Sequence, residues 1–189
     1  MATTSPPDAP PKRFSVSRVL VVLAVLSMTL LWIWILSGAP KRKNPDYLAD
    51  RAWVERAGER CDTAVAAIDD LPDAASAATP QERVGSVDEA NAVLTDLVTD
   101  LRDDEPGGSA DDRAGDRKVV KLWLDDWDRF LEARVDYAER LRAYEPDSDA
   151  EIPRFLLPEN QKGDGIDRPI KSFADVNEIP RCATPGDVG

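Results

Sequence analysis

The side chains that could do chemistry in this chain are its carboxylates, its tryptophans and two cysteines. Histidine is absent from all 189 residues. That removes histidine-dependent triads, histidine metal ligands and histidine pH switching. Carboxylates crowd two stretches. Residues 102–116 (RDDEPGGSADDRAGD) are acidic and glycine-rich, with a spacing that fits no calcium loop. Asp147-Ser148-Asp149-Ala150-Glu151 opens like an EF-hand loop. It then places Ile152 where glycine makes the turn and Pro158 where a bidentate glutamate closes the site. The sequence therefore assigns no metal, no cofactor and no catalytic residue. Two carboxylates in a concave pocket could cleave glycans, but no acid falls on a predicted apolar face.

Trp123 and Trp127 stand one helical turn apart. Stacked indoles could form a sugar-binding platform. Packing into a helical core is the preferred reading, since indoles are the largest apolar groups in the chain. Cys61 and Cys182 are the only cysteines. They can form one disulfide, the expected state outside the cytoplasm, or remain two buried thiols. A disulfide would close a loop of about 120 residues and contribute about 4–5 kcal/mol on the chain-entropy model.

The element that must position all of this is Val19–Leu36, 18 residues without a charge. As a helix it would cover about 27 Å, close to the hydrocarbon thickness of a bilayer. A cleaved signal peptide is the competing reading, and Ser37-Gly38-Ala39 resembles a cleavage site. The run is longer than the usual ~7–15-residue signal core. Pro40 follows the cleavage-like triplet, and Trp32 and Trp34 sit where indoles favour the headgroup region. These features favour an uncleaved anchor, with the lipid bilayer as the first partner.

Charge divides the chain at the same place. Six of the 24 basic residues and one of the 36 acidic ones precede Asn44, so the remaining 146 residues carry a net charge of −17. Such a domain repels nucleic acid and anionic headgroups. Three basic residues lie before the span and five within 20 residues after it, which on a strict count would keep the domain in the cytoplasm. Long domains cross largely regardless of charge, and the cysteine pair favours an oxidising side. The expected orientation is therefore N-terminus inside, domain outside.

The expected class is all-α. Residues 1–18 read as a disordered tail, 19–36 as a transmembrane helix and 37–44 as a basic linker holding Lys41-Arg42-Lys43. Residues 45–144 read as a three-helix extracytoplasmic domain. Its first helix, 45–71, carries the stripe Val54, Ala57, Cys61, Ala64, Ile68, Leu71. The second, 81–101, carries Val84, Val87, Asn91, Leu94, Val98, Leu101, with Leu97 beside it. The third, 117–144, carries Val120, Leu124, Trp127, Leu131, Ala138, Leu141, widened by Trp123, Phe130 and Val135. Residues 145–189 read as a proline-rich extension pinned by the disulfide. Within it, 154–158 and 166–170 could pair as a small β-hairpin, and Ser172 could cap a single helical turn over 173–178.

Several motifs resemble those of an uncharacterised family of actinobacterial single-pass, membrane-anchored helical proteins. The similarity lies in Cys61, Trp123-Leu124-Asp125-Asp126-Trp127, Asp136-Tyr137-Ala138-Glu139-Arg140-Leu141, Phe173-Ala174-Asp175-Val176-Asn177 and Cys182-Ala183-Thr184-Pro185. It implies a shared fold and location and carries no activity. The expected function is a non-catalytic scaffold or accessory protein of the cell envelope, with an envelope protein as partner and no small-molecule ligand. The alternatives are a carboxylate-based envelope enzyme or ligand-binding domain, and a cytoplasm-facing membrane regulator.

Overall fold

A computed structural model describes residues 16–36, 44–146, 151–160 and 162–186. It has two compact units, Met1–Lys43 and Asn44–Gly189. Most of the expected tail and linker, and Asp147 to Ala150 of the EF-hand-like stretch, lie outside the described residues.

The first unit contains α1, Val16–Leu36. Its window Val19–Leu36 has a mean hydropathy of 2.7 and is entirely exposed, so one N-terminal helix is apolar enough to span a membrane.

The second unit holds α2 (Arg51–Asp69), α3 (Pro80–Asp103), α4 (Ala110–Ala143) and α5 (Asp167–Asn177). With α1 that makes five α-helices among the described residues, where a span and a three-helix bundle were expected. Two short 3₁₀ turns, Ala74–Ser76 and Pro180–Cys182, complete it. The apolar stripes of the three long helices meet in the core, with Leu71 packed at its edge. Bonds from Arg102 to Asp128, Asn91 to Arg134 and Asp88 to Arg142 run down α3 as they run up α4, so these helices are antiparallel.

Two helix starts lie well away from expectation, each because a side-chain cap outcompetes a weaker signal. Pro45 does not start α2; Asp50 does, its carboxylate accepting from the Trp53 N–H at 3.0 Å. The acidic stretch 102–116 is not all loop. Ser109 caps α4, and Asp111 and Asp112 in its first turn complement the helix dipole. That offsets the ~1 kcal/mol cost of a helical glycine at Gly115.

The hairpin does not form. Among the described residues a lone antiparallel bridge joins Glu159 to Gly165, and residues 167–177 are α5. Pro169 is tolerated there because the N–H groups of a first turn have no helical partner. Ser172 is an exposed mid-helix residue, not a cap.

Val135, expected in the core, is 46% exposed; Arg134 takes the position and is fully buried. Residue 134 lies three after Leu131 and four before Ala138, on the stripe, whereas 135 is a further 100° round the helix. The Arg134 Nε donates to the Asn91 Oδ1 at 2.6 Å, and the guanidinium lies 5.7 Å from the Phe130 ring centre.

Cys61 of α2 and Cys182 form a disulfide, with Cα atoms 5.2 Å apart and both side chains fully buried. Gly58 makes room for this crossing, since a Cβ there would lie 3.0 Å from the Ile179 Cγ2. Replacing both cysteines by serine should lower unfolding stability by about 2–5 kcal/mol. Denaturant titration reads this as an earlier midpoint, and an unchanged midpoint would show that packing alone holds the C-terminal segment.

Candidate functional site

Trp123 and Trp127 are buried and make no exposed sugar platform. Their rings meet edge-on at 6.4 Å. Trp123 stacks on Phe173 of α5 at 4.4 Å and 20°, and Trp127 meets Phe130 edge-on at 5.7 Å. The Trp123 ring is the surface onto which Phe173 of α5 stacks.

The most concentrated polar arrangement lies where the chain enters α2. Asn177 ends α5 and is fully buried. Its Oδ1 accepts from the Leu48 N–H at 3.0 Å, and its Nδ2 donates to the carbonyls of Asp46 (2.9 Å) and Phe173 (3.0 Å). The Asn177 carbonyl accepts from the Arg51 Nη2 at 2.9 Å. From α4, Asp116 is only 6% exposed and accepts from the N–H groups of Ala49 (3.1 Å) and Asp50 (2.8 Å). Asp50 accepts in turn from the N–H of Gly107, at 2.6 Å. These bonds satisfy the backbone of a non-helical segment that the core would otherwise strand. Their geometry is that of a clamp, and it leaves its carboxylates occupied.

One step up α2, Asp104 receives the Arg56 Nε and Nη2, both at 2.9 Å, and the Arg60 Nη1 at 2.6 Å. Its backbone carbonyl accepts from the Trp53 Nε1. The Arg56 hydrogen bond holds the Asp104 carboxyl below the ordinary carboxylate range, against the opposing effect of burial, with Arg60 adding to it. The Trp53 N–H does the same for Asp50, helped by the Gly107 N–H and Arg56 and again opposed by burial. Asp126 differs. Burial pushes its carboxyl up, with Arg129 opposing, and it lies outside the grooves described next.

Between α2 and α3 runs an open groove of about 460 Å³. Ala64, Ala67, Val93 and Leu97 contribute its apolar lining, and Glu59, Asp96 and Asp100 its carboxylates. The groove shares Arg60 and Asp100 with a polar depression that also takes in Arg56, Asp103 and Asp104. Sequence reading missed this convergence of acids because Glu59, Asp96 and Asp100 lie just off the apolar stripes of two different helices. Only the antiparallel pairing of those helices brings them to one rim. Compared with known proteins, the chain matches no family model, no curated protein and no solved structure.

Asn177→Ala leaves the buried Leu48 N–H and the part-buried Asp46 carbonyl without their partner. It should cost about 2–3 kcal/mol, measurable by chemical denaturation. A loss below half a kilocalorie would mean that water replaces the amide freely. Asp104→Asn should cost about 1 kcal/mol at pH 7, discounted because Arg56 is largely exposed. A depressed carboxylate stabilises the fold above its ordinary value and loses that contribution as pH falls through its folded value. The gap between wild type and Asp104→Asn should therefore be constant from pH 7 to about pH 5 and close below about pH 4. Melting curves across that range test this, and a gap that widens in acid would contradict it.

Proposed function

We propose that this protein is a non-catalytic, membrane-anchored scaffold or accessory protein of the cell envelope, with its helical domain outside the cytoplasm. The observation that carries the reading is the buried disulfide, in a chain whose N-terminal helix is apolar enough to span a membrane. Disulfides persist in oxidising compartments. The resemblance to anchored actinobacterial proteins agrees with that location. The clamp and the stacked rings support a rigid surface rather than a reactive cleft.

A carboxylate-based enzyme or ligand-binding domain is the competing proposal, and Glu59, Asp96 and Asp100 would be its acids. All three are exposed on an open groove. Acid–base and nucleophilic work by carboxylates gains from a water-excluding pocket that sets their roles apart. The open rim therefore supports the scaffold reading better.

The test uses intact cells. A membrane-impermeant amine reagent should reach the exposed Lys118, Lys121 and Lys171 before lysis. A mass-tagged maleimide added under denaturing conditions should label the cysteines only after reduction. Lysines that react only once the membrane is opened, with cysteines that label without reductant, would place the domain in the cytoplasm and end the envelope reading.

A further inference from the structure

The groove between α2 and α3 has the form of a recognition site for a third helix. Residues 60, 64 and 67 of α2 face 93, 97 and 100 of α3, two stripes at helical spacing on antiparallel rods. With the adjoining polar depression the trough follows α2 from Arg56 to Ala67 and α3 from Val93 to Asp104. At ~1.5 Å per residue that is about 16 Å, or three helical turns. Ala64 and Ala67 on one wall are small enough for another helix axis to approach closely. The trough therefore has what helix-in-groove binding uses: a short apolar floor, a length of several turns and a rim that selects charge.

The rim decides the occupant. Glu59 stands on the α2 side, and Asp96 and Asp100 on the α3 side. Arg56 and Arg60, the cations along the trough, are both already bound to Asp104, at 2.9 and 2.6 Å. A second copy apposing its own groove would bring the same carboxylates against themselves, and the net charge of −17 on residues 44–189 opposes its other faces. An anionic lipid surface would be repelled as well. We propose that the groove binds an amphipathic helix of a protein partner. The helix would show a narrow apolar strip at i, i+3 or i+4, and i+7, flanked on both sides by lysine or arginine. This deepens the scaffold reading and rests on it, since it names the surface through which the scaffold would hold its partner.

The test uses the full chain in phosphatidylcholine nanodiscs. The probe is a 14-residue leucine/lysine amphipathic helix carrying a benzophenone, and photo-adducts are located by peptide mapping. Adducts should concentrate on residues 59–67 and 93–100. The double variant Asp96→Asn/Asp100→Asn, at exposed sites that leave the fold intact, should cut them about fivefold. Ala67→Trp should cut them as far by filling the floor without changing charge, with circular dichroism confirming its fold. Glu132→Gln/Asp136→Asn on α4 should leave them unchanged. A scrambled peptide of the same composition should crosslink several-fold less.

Adducts spread evenly over the acidic faces, or indifferent to Ala67→Trp, would reduce the effect to general charge attraction and overturn the proposal. A dimer of the chain that Ala67→Trp dissociates would assign the groove to a second copy and overturn it too. The probe reads the groove whichever side of the membrane the domain occupies. Reversed topology would end the envelope reading and leave this result standing, while a failed probe would leave the location untouched.

Discussion

The bond between Cys61 and Cys182 joins points 121 residues apart in the chain. It pins the C-terminal segment to α2. An 11-residue helix such as α5 is marginal on its own in water. Held against the long helices, it gains what it lacks. Ile170, Phe173 and Ala174 enter the core, Phe173 stacks on Trp123, and Ile179 fits over Gly58. Outside the core, Arg181 reaches Asp62 and Asp69 of α2, each at 3.5 Å. The bond's entropic contribution comes from the unfolded chain, where it forbids the separations a free tail would explore.

The same segment completes the start of α2. The chain from Asn44 to Asp50 is not helical, yet Leu48 is fully buried. A buried backbone without secondary structure needs partners for its N–H and carbonyl groups. Asn177 from α5, Asp116 from α4 and the Gly107 loop supply or share them. One asparagine thus links the disulfide-held tail to the entry of the domain. The entry of the domain, its third long helix and its last helix are thereby bonded to one another.

The long helices were legible because their apolar residues recur at three and four over many turns. Cys61 and Asn91 were legible too, since both sit on those stripes. The missing parts have identifiable physical causes. Arg134 occupies a core position that periodicity demands and residue type disguises. Asp116 read as part of a solvated acidic loop because its partners, the N–H groups of Ala49 and Asp50, are 67 and 66 residues away. For α5, Pro169 argued against a helix and Gly163 and Gly165 suggested a hairpin turn before it, while the docking surface that stabilises a helix there exists only in the folded state. The α2/α3 groove was invisible for the same reason, since its rim is shared between helices whose pairing no local pattern records.

Native-state hydrogen exchange of the full chain, oxidised against reduced, tests the dependence on the disulfide most directly. On reduction the amide of Leu48 and those of residues 170–177 should lose protection together, while the interiors of α3 and α4 keep theirs. Loss confined to residues 179–186, with Leu48 and α5 unchanged, would contradict the account. The clamp would then stand without the bond, and the disulfide would be a local fastening of the tail.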